Sequence, residues 1–196
     1  MADTFTHREQ HNTETDQELV SRAIENKQAF AAIVLRYEAP LLRYIIRLGC
    51  KNSFAADDLL QEIFIKTYIH LNEYDPFLQF SSWIYRIAHN EIVSYFRKEK
   101  RRSSVLSKDE LLGLFENITD AADVIALESE QHTSMEIQAA LDRLETKYRD
   151  VIVLKYFEEK SYEEISDILL IPQGTVATLI NRAKKKIRIY LEKSYQ

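Results

Sequence analysis

Apolar residues recur at helical spacing along most of the chain, and this pattern predicts a succession of amphipathic helices. The first is short. Thr15 and Glu18 form a capping-box pattern, and the helix that they start is expected to end near Asn26. Its apolar positions are Leu19, Val20, Ala23 and Ile24. Residues 1–15 are polar and show no period, so a disordered tail is expected there.

Two longer apolar stretches follow and predict core helices. Residues 28–48 are strongly apolar, and a bend or interruption is expected at Pro40 because proline removes a backbone donor. In residues 55–71, one side of the predicted helix carries Leu59, Ile63, Tyr68 and Ile69. The other side carries an acidic and amide patch of Asp57, Asp58, Gln61 and Glu62. Carboxylates at a helix start also oppose the helix dipole, at about 0.3–1 kcal/mol each, so the patch has a purely local explanation too.

Residues 74–102 combine aromatic rings with a cationic helix. A loop around Asp75 and Pro76 precedes a helix that is expected to start near Trp83, capped by Ser81 or Ser82. The inward positions are Ile84, Ile87, Ala88, Ile92, Tyr95 and Phe96, and the outward ones are Arg86, His89, Asn90, Ser94, Arg97, Lys98, Arg101 and Arg102. Rings beside cations suit unpaired bases, which stack on the rings while the cations follow the backbone. The alternative is that Trp83 and Phe80 lie mostly in the core; this is expected for Trp83, and exposed stacking would then fall to Phe77.

The stretch SYEEISDILLIPQGTVATLINRAKKKI, residues 161–187, predicts two short helices joined by a tight break. Ser161 and Glu164 form a second capping-box pattern, and Pro172 suits the first turn of the next helix. The second helix has a buried face of Val176, Leu179, Ile180 and Ala183. Its outward row is Gln173, Thr175, Thr178, Asn181, Arg182, Lys184 and Lys185. This is a helix-turn-helix pattern, whose second helix fits a major groove about 12 Å wide. An ordinary helical hairpin with a solvated basic face is the alternative.

Composition supports an all-α fold, since only 3 Gly and 3 Pro occur in 196 residues. The single cysteine, Cys50, is expected to be a small core residue in a reducing, cytoplasmic compartment. The five histidines are scattered, and no Gly-rich loop is present, so we expect no enzyme activity, metal or cofactor. No apolar run is long enough for a signal peptide or a membrane span, so a soluble protein without membrane insertion is expected.

The net charge of −5 is unevenly distributed. Basic clusters at residues 97–102 and 182–188 flank an acidic stretch, residues 103–132. The predicted architecture is therefore two separate small helical domains, residues 16–102 and 133–194, joined by a flexible acidic linker.

Three motifs in order resemble the extracytoplasmic-function (ECF) sigma factors of the sigma-70 family. They are AADDLLQEIFIKTY, FSSWIYRIAHNEIVSYFRKEKRR and ALDRLETKYRDVIVLKYFEEKSYEEISDILLIPQGTVATLINRAKKKI. The resemblance implies a sigma region 2 bundle in the first domain and a sigma region 4 helix-turn-helix in the second. It also implies binding to core RNA polymerase (clamp helices and flap) and to double- and single-stranded promoter DNA, and an anti-sigma factor as a further partner.

The resemblance carries three sets of site residues. The polymerase set is Asp57, Asp58, Gln61, Glu62 and Phe64. The −10 set, which would recognise and open the −10 promoter element, is Phe77, Gln79, Phe80, Arg86, His89, Asn90, Arg97, Lys98, Arg101 and Arg102. The −35 set is Gln173, Thr175, Thr178, Asn181, Arg182, Lys184 and Lys185. The two promoter elements lie roughly 70 Å apart, and a linker of about 30 residues can extend to around 100 Å.

Some positions depart from the family pattern. Leu170 stands where the turn usually has Gly, Ala177 and Leu179 stand in a run that is often cationic, and Ser94 replaces a common Asp. Two alternatives therefore stay open: an operator-binding helix-turn-helix regulator, and a sigma-like decoy that acts only through protein interaction.

Overall fold

The computed structural model describes residues 14–105 and 131–194, with side chains over 14–102 and 137–190. These residues form eight α-helices and no strand. The helices are α1 (Asp16–Glu25), α2 (Phe30–Arg47), α3 (Ser53–Ile69), α4 (Phe80–Val105), α5 (Gln131–Asp142), α6 (Thr146–Tyr156), α7 (Tyr162–Leu169) and α8 (Gln173–Ser194). The all-α fold class is confirmed. The expected tail lies almost wholly outside the described residues, and so does most of the expected linker.

Helix α1 begins and ends where the sequence predicts. The Thr15 hydroxyl accepts from the Glu18 backbone N–H at 3.3 Å, while the Glu18 carboxylate accepts from the Thr15 N–H at 2.7 Å. These reciprocal bonds satisfy two donors that a helix start leaves without partners. Asn26 ends the helix, and Leu19, Val20 and Ala23 bury its inner face against α2.

Helix α2 runs unbroken through Pro40, so an interruption there is wrong, while the alternative of a bend stays a prediction. Proline removes one backbone hydrogen bond, but buried residues on both sides of it hold the helix in place. Tyr37 precedes the proline, and Leu41, Tyr44 and Ile45 follow it, all inside the core. Tertiary packing therefore overrides the local cost.

The last turn of α3 differs from the prediction. Leu59 and Ile63 are buried as expected, but Tyr68 and Ile69 are exposed. The inward position four residues after Ile63 is occupied by Thr67, whose hydroxyl donates to the Ile63 carbonyl at 2.7 Å. Because each helical residue turns about 100°, the next two side chains point away from the core.

Helix α4 begins at Phe80, earlier than the predicted start near Trp83, so the two serines lie inside its first turn. The rings of Tyr74, Phe80 and Trp83 pack with centroids 5.3–5.6 Å apart. This aromatic cluster anchors the start of the helix, which is why the serines are not needed as caps. Ile84, Ala88 and Ile92 then bury its inner face as predicted, whereas Phe96, which was expected to face inward, is exposed.

The second domain contains the predicted helix-turn-helix. Helix α7 has the Ser161–Glu164 capping box and buries Ile165 and Ile168. Helix α8 buries Val176, Ile180 and Ala183, and Leu179 packs partly against the same core. Leu170 ends α7 in the left-handed conformation, with φ 54° and ψ 44°. The turn therefore keeps a geometry that favours glycine although leucine occupies it.

The two domains were expected as separate bodies, but in the structure they pack against each other. The main contact is between α4 of the first domain and α7 of the second, and the buried apolar side chains of both form one contiguous cluster. Cys50 is buried near this junction, as expected for a core residue, and burial raises the pKa of its thiol to about 11. Within the described ranges, no helix is long and apolar enough to cross a membrane.

Candidate polymerase and nucleic-acid interfaces

The acidic face of α3 is exposed. Asp57, Asp58, Gln61 and Glu62 all lie at the surface. Phe64 is different: it packs in the core, and its neighbour Ile65 is exposed instead. Phe54, one turn before Asp58, is 81% exposed. The face therefore pairs acidic groups with apolar side chains, a combination that the sequence pattern did not reveal.

The loop before α4 presents one aromatic ring to solvent. Phe77 is 98% exposed, and its backbone N–H donates to the Asp75 carboxylate at 3.0 Å. The Tyr74 hydroxyl donates to the Leu78 carbonyl, which closes the loop from the other side. Gln79 is exposed next to it. These bonds hold the loop in one shape, so that the Phe77 ring is available for stacking.

Phe80 belongs to the core and not to this exposed surface. It is buried against Tyr37, Tyr74 and Trp83. Phe80 was predicted to contact the −10 element, but the first turn of α4 points its ring into the core.

The outward face of α4 is cationic along its second half. Asn90 is exposed, and so are Arg97, Lys98, Arg101 and Arg102. Arg102 also donates to Glu99 at 3.2 Å. Arg86 is half-buried. The exposed cations form a row that suits a phosphate backbone.

His89 was expected to face solvent, and this prediction is wrong for the packed domains. Its ring is 12% exposed and lies between Tyr44 of α2 and Asp150 of α6. The Tyr44 hydroxyl and His89 Nδ1 share a hydrogen bond of 3.1 Å. Burial lowers the His89 pKa to about 4 and raises that of Asp150 to about 7. The imidazole is therefore neutral at pH 7, and 3.9 Å to the carboxylate is too long for a hydrogen bond.

The −35 set forms a continuous exposed row on α8. Gln173, Thr175, Thr178, Asn181, Arg182, Lys184 and Lys185 are all at the surface. The Thr178 hydroxyl donates to the Gly174 carbonyl at 2.9 Å, so only its acceptor capacity faces outward. The row thus begins with hydrogen-bonding groups and ends in cations, as the sequence predicted.

Tyrosine rings of α6 support two cations of α8. The Lys184 ammonium lies 5.2 Å from the centre of the Tyr156 ring, and a hydrogen bond to Tyr156 raises the Lys184 pKa. Lys186 lies 5.2 Å from the Tyr148 ring and pairs with Glu145 at 3.2 Å. Lys184 is therefore held in place within the exposed row, whereas Lys186 helps to hold α8 on α6.

Sequence reasoning missed the charged residues between the domains. Glu158 accepts from Arg47 and Tyr85, and Lys160 donates to Ser81. The sequence of a polar loop does not show whether a carboxylate in it is buried in a contact or exposed to solvent. Among the described side chains, no group of three or more His, Cys, Asp or Glu is arranged to hold a metal ion.

Family models match both domains. The model described as Sigma-70 region 2 matches residues 33–102, and the model described as Sigma-70, region 4 matches residues 134–187. These matches, together with a helical bundle and a helix-turn-helix, define a protein of the sigma-70 class.

Relatives narrow the class. The ECF RNA polymerase sigma factor SigW of Bacillus subtilis is 36% identical over 170 residues, which cover 83% of this chain and 89% of SigW. The RNA polymerase sigma-H factor of Pseudomonas aeruginosa is 33% identical, over 89% of this chain and 92% of that protein. The chain belongs to the ECF sigma factors, and its function is that of an RNA polymerase sigma factor.

Solved structures share the fold. CnrH, solved in complex with the cytosolic domain of CnrY, has a TM-score of 0.68 at 23% identity, over 92% of this chain and 99% of that one. RpoE of Bartonella quintana, solved with the anti-sigma factor NepR, has a TM-score of 0.65 at 21% identity, over 83% of this chain and 96% of that one.

Proposed function

We propose that the three predicted residue sets divide the work of this sigma factor: α3 docks on core RNA polymerase, the Phe77 loop with α4 opens the −10 element, and α8 reads the −35 element. The observation that supports this division is exposure. Apart from Phe64, Phe80, His89 and the half-buried Arg86, every residue of the three sets lies at the surface.

The polymerase-binding surface combines charge with apolar contact. Asp57, Asp58, Gln61 and Glu62 supply the polar part, and the exposed Phe54 extends the same face. The buried centre of a protein interface is apolar, and its rim is polar. A surface of this kind therefore suits a protein partner better than it suits nucleic acid. Phe64 supports this face from inside the core, and the exposed Ile65 takes its place as a direct contact.

The −10 element is opened by stacking and charge together. An unpaired base that stacks on the Phe77 ring gains about 1–3 kcal/mol, which offsets part of the cost of unpairing. Arg97, Lys98 and Arg101 follow the phosphates of the separated strand. Asn90 supplies hydrogen bonds to a base edge.

The −35 element is read by the start of α8. Gln173 and Thr175 meet base edges near the helix N-terminus, while Arg182, Lys184 and Lys185 neutralise phosphates. Ala177 and Leu179 supply no charge, and Leu179 packs partly inward. Specificity therefore depends on Gln173, Thr175 and Asn181.

The chain acts in the bacterial cytoplasm, without enzymatic activity of its own, and is held inactive by an anti-sigma factor. Its similarity in fold to Bartonella quintana RpoE, which was solved with the anti-sigma factor NepR, supports this regulation. The acidic net charge keeps the free chain from occupying DNA, so a gel-shift at moderate salt should show little promoter binding. Tight specific binding by the isolated chain would defeat that expectation.

Run-off transcription with sigma-free core polymerase tests the division of work. Asn90→Ala and Arg97→Ala should reduce promoter opening, read by permanganate reactivity of unpaired thymines, with little change in polymerase affinity. Asp58→Ala combined with Gln61→Ala should instead lower the affinity for polymerase, with little change in promoter opening. If all of these variants lose both activities equally, the division is wrong.

A further inference from the structure

The Phe77 ring is positioned by the backbone that carries it. The ring is 98% exposed, so packing against neighbouring side chains does not fix its direction. An exposed side chain on a mobile loop loses conformational entropy when it binds a partner, and this loss weakens binding. The conformation of the Phe77 loop, residues 74–79, therefore decides how well the ring is prepared to stack on a base.

Residues 75–78 form a tight turn with Phe77 at its tip. The Leu78 N–H donates to the Asp75 carbonyl at 3.0 Å, which is the hydrogen bond of a four-residue β-turn. Pro76 occupies the second position of this turn, where its fixed φ is favourable. Phe77 takes the third position, so its side chain leaves the backbone where the chain reverses direction.

Both polar groups of the peptide unit between Pro76 and Phe77 are bound by side chains. The N–H donates to the Asp75 carboxylate at 3.0 Å, and the carbonyl accepts from Gln17 Nε2 at 3.2 Å. The Tyr74 hydroxyl also donates to a carbonyl of the turn, that of the residue after Phe77. Because a peptide unit is planar, binding both of its groups limits rotation about the bonds that orient Phe77.

Gln17 reaches the Phe77 loop from a fixed helix start. It lies in the first turn of α1, 59 residues before the carbonyl that it binds. Its neighbour Asp16 accepts from the Arg36 guanidinium at 2.7 Å and from the Tyr37 hydroxyl at 2.5 Å, which ties the start of α1 to α2. The Tyr37 ring packs in turn on Phe80, where α4 begins, with ring centroids 5.6 Å apart. The hydrogen-bond donor and the loop that accepts from it are therefore built on the same core.

The charge of Asp75 is unfavourable for the proposed function unless the carboxylate has a structural role. Its negative charge repels the phosphate backbone that must approach Phe77. The hydrogen bond from the Phe77 N–H gives the carboxylate such a role. An asparagine at this position would keep the acceptor without the charge, so the two effects can be measured separately.

We propose that Gln17 and Asp75 are positioning residues for base capture: their hydrogen bonds to one peptide unit hold the Phe77 loop in the shape in which its ring receives an unpaired base. Neither side chain is assigned a contact with the base itself. Helix α1 then has a function beyond the core, because it supplies the donor that supports the loop. This inference rests on the proposed capture of a −10 base by Phe77.

Four variants separate the geometry of the loop from its charge. Gln17→Met keeps the length of the side chain but has no donor, and Gln28→Met is the matched control at an exposed position between α1 and α2. Asp75→Ala removes both the acceptor and the charge. Asp75→Asn removes the charge alone, since its amide oxygen still accepts from the Phe77 N–H. Far-UV circular dichroism verifies that each full-length variant keeps its helix content.

Oligonucleotides that lack single bases report base capture. Holoenzyme, assembled from each variant and sigma-free core polymerase, is titrated with a labelled single-stranded oligonucleotide that carries the non-template −10 sequence of the run-off template. In a matched series, each base in turn is replaced by an abasic site. The stacked base is the one whose removal weakens binding by the parent chain but not by Phe77→Ala.

The expected result is a change in the ratio of two affinities. Gln17→Met and Asp75→Ala should each reduce the preference for the stacked base over the abasic site by about two- to tenfold, as expected for the loss of one hydrogen bond. The loop must become ordered only where there is a base to stack on, so a purely structural role would lower both affinities alike and leave the ratio unchanged. Gln28→Met and Asp75→Asn should keep the parent ratio. Equal ratios in Asp75→Ala and Asp75→Asn would overturn the inference.

The remaining outcomes distinguish this inference from the proposed function. If Phe77→Ala keeps the parent preference at every position, Phe77 does not capture a base, and the proposed function of the loop is wrong together with this inference. If Phe77→Ala loses the preference while Gln17→Met or Asp75→Ala keeps it, the proposed function stands and this inference alone is overturned.

Discussion

At the scale of single residues, Leu170 shows how a local cost is tolerated at a functional turn. The left-handed conformation costs an L-residue roughly 1–2 kcal/mol, and Leu170 adopts it while 70% of its surface is exposed. The conformation is imposed by the turn itself, since the Leu170 N–H donates to the Ser166 carbonyl and the Ser166 hydroxyl donates to the Ile171 carbonyl at 2.6 Å.

Leu170→Gly should therefore stabilise the chain. Glycine removes the conformational cost but adds about 0.5–1 kcal/mol of backbone entropy, so a net gain of roughly 0.5–1 kcal/mol in the free energy of unfolding is expected. Urea denaturation measures it. Asp167→Gly, at an exposed position within α7, is the control and should cost about 1 kcal/mol. A loss of stability in Leu170→Gly would contradict the assigned strain.

His89 and Asp150 are the second residue-scale feature, because burial shifts their pKa values in opposite directions. The Asp150 carboxyl binds its proton more tightly in the folded chain, so its contribution to stability is lost as the pH rises from 3.8 to about 7. The His89 imidazole binds its proton less tightly, so its contribution is lost as the pH falls from 6.5 to about 4. Tyr44 faces the imidazole, and Arg149 partly opposes the Asp150 shift. In the pH range where both His89 and Asp150 titrate, their opposite effects on the free energy of unfolding offset each other.

Single variants should separate these two effects. Between pH 5 and about 6.5, His89→Gln should lose stability relative to the parent chain as the pH rises, and Asp150→Asn should lose it as the pH falls. For each variant, the free energy of unfolding relative to the parent chain should change by at most about 1.4 kcal/mol per pH unit. Urea denaturation across this range measures both, and two profiles parallel to that of the parent chain would show that the pair is not buried in solution.

At the scale of elements, both capping boxes and the buried faces of α7 and α8 were predictable, because they depend on residues three or four positions apart. The start of α4 and the last turn of α3 were not. Phe80 begins α4 early because Tyr37 and Tyr74, distant in sequence, surround its ring. Pro40 stays inside α2 for a similar reason, since its flanking residues are buried against other helices.

The junction between α2 and α3 depends on Gly49. Its φ of 111° suits glycine only, and a Cβ there would lie 2.6 Å from Arg149 Nη1 of the second domain. Gly49→Ala should cost roughly 1–3 kcal/mol of folding free energy, measured by thermal denaturation. Gly174→Ala, where nothing lies within 4 Å, should be neutral or slightly stabilising.

A double variant divides the Gly49 cost into its two sources. In an Arg149→Ala background, Gly49→Ala meets no guanidinium group and keeps only the backbone strain. The penalty should therefore be smaller than in the parent chain. An identical penalty in both backgrounds would place the whole cost in the backbone.

At the scale of the whole molecule, the domain interface links two cores that the sequence pattern treats as independent. Bonds such as Lys51 to Asp142, at 2.5 Å, join residues far apart in the chain. Surface pairs of this kind contribute little individually, so the coupling depends on the apolar cluster that both domains share, together with the buried Glu158 contacts.

Calorimetry should reveal this coupling. The parent chain is expected to unfold in one cooperative transition, because separating the domains leaves Glu158 without its partners. Glu158→Lys should split the profile into two transitions, whereas Glu163→Lys, at an exposed position on α7, should keep one. Two transitions in the parent chain would mean that the domains unfold independently.

The sequence by itself determined the helical class, the helix-turn-helix, the exposed rows of α4 and α8 and the family resemblance, because these depend on local periodicity and on residue types at fixed spacing. Only the tertiary structure decided that Phe64 and Phe80 face inward, that His89 lies beneath Asp150, and that Glu158 joins the domains. The reason is physical: burial and pairing depend on which residues distant in sequence come into contact, and the spacing of residues along the chain does not encode these contacts.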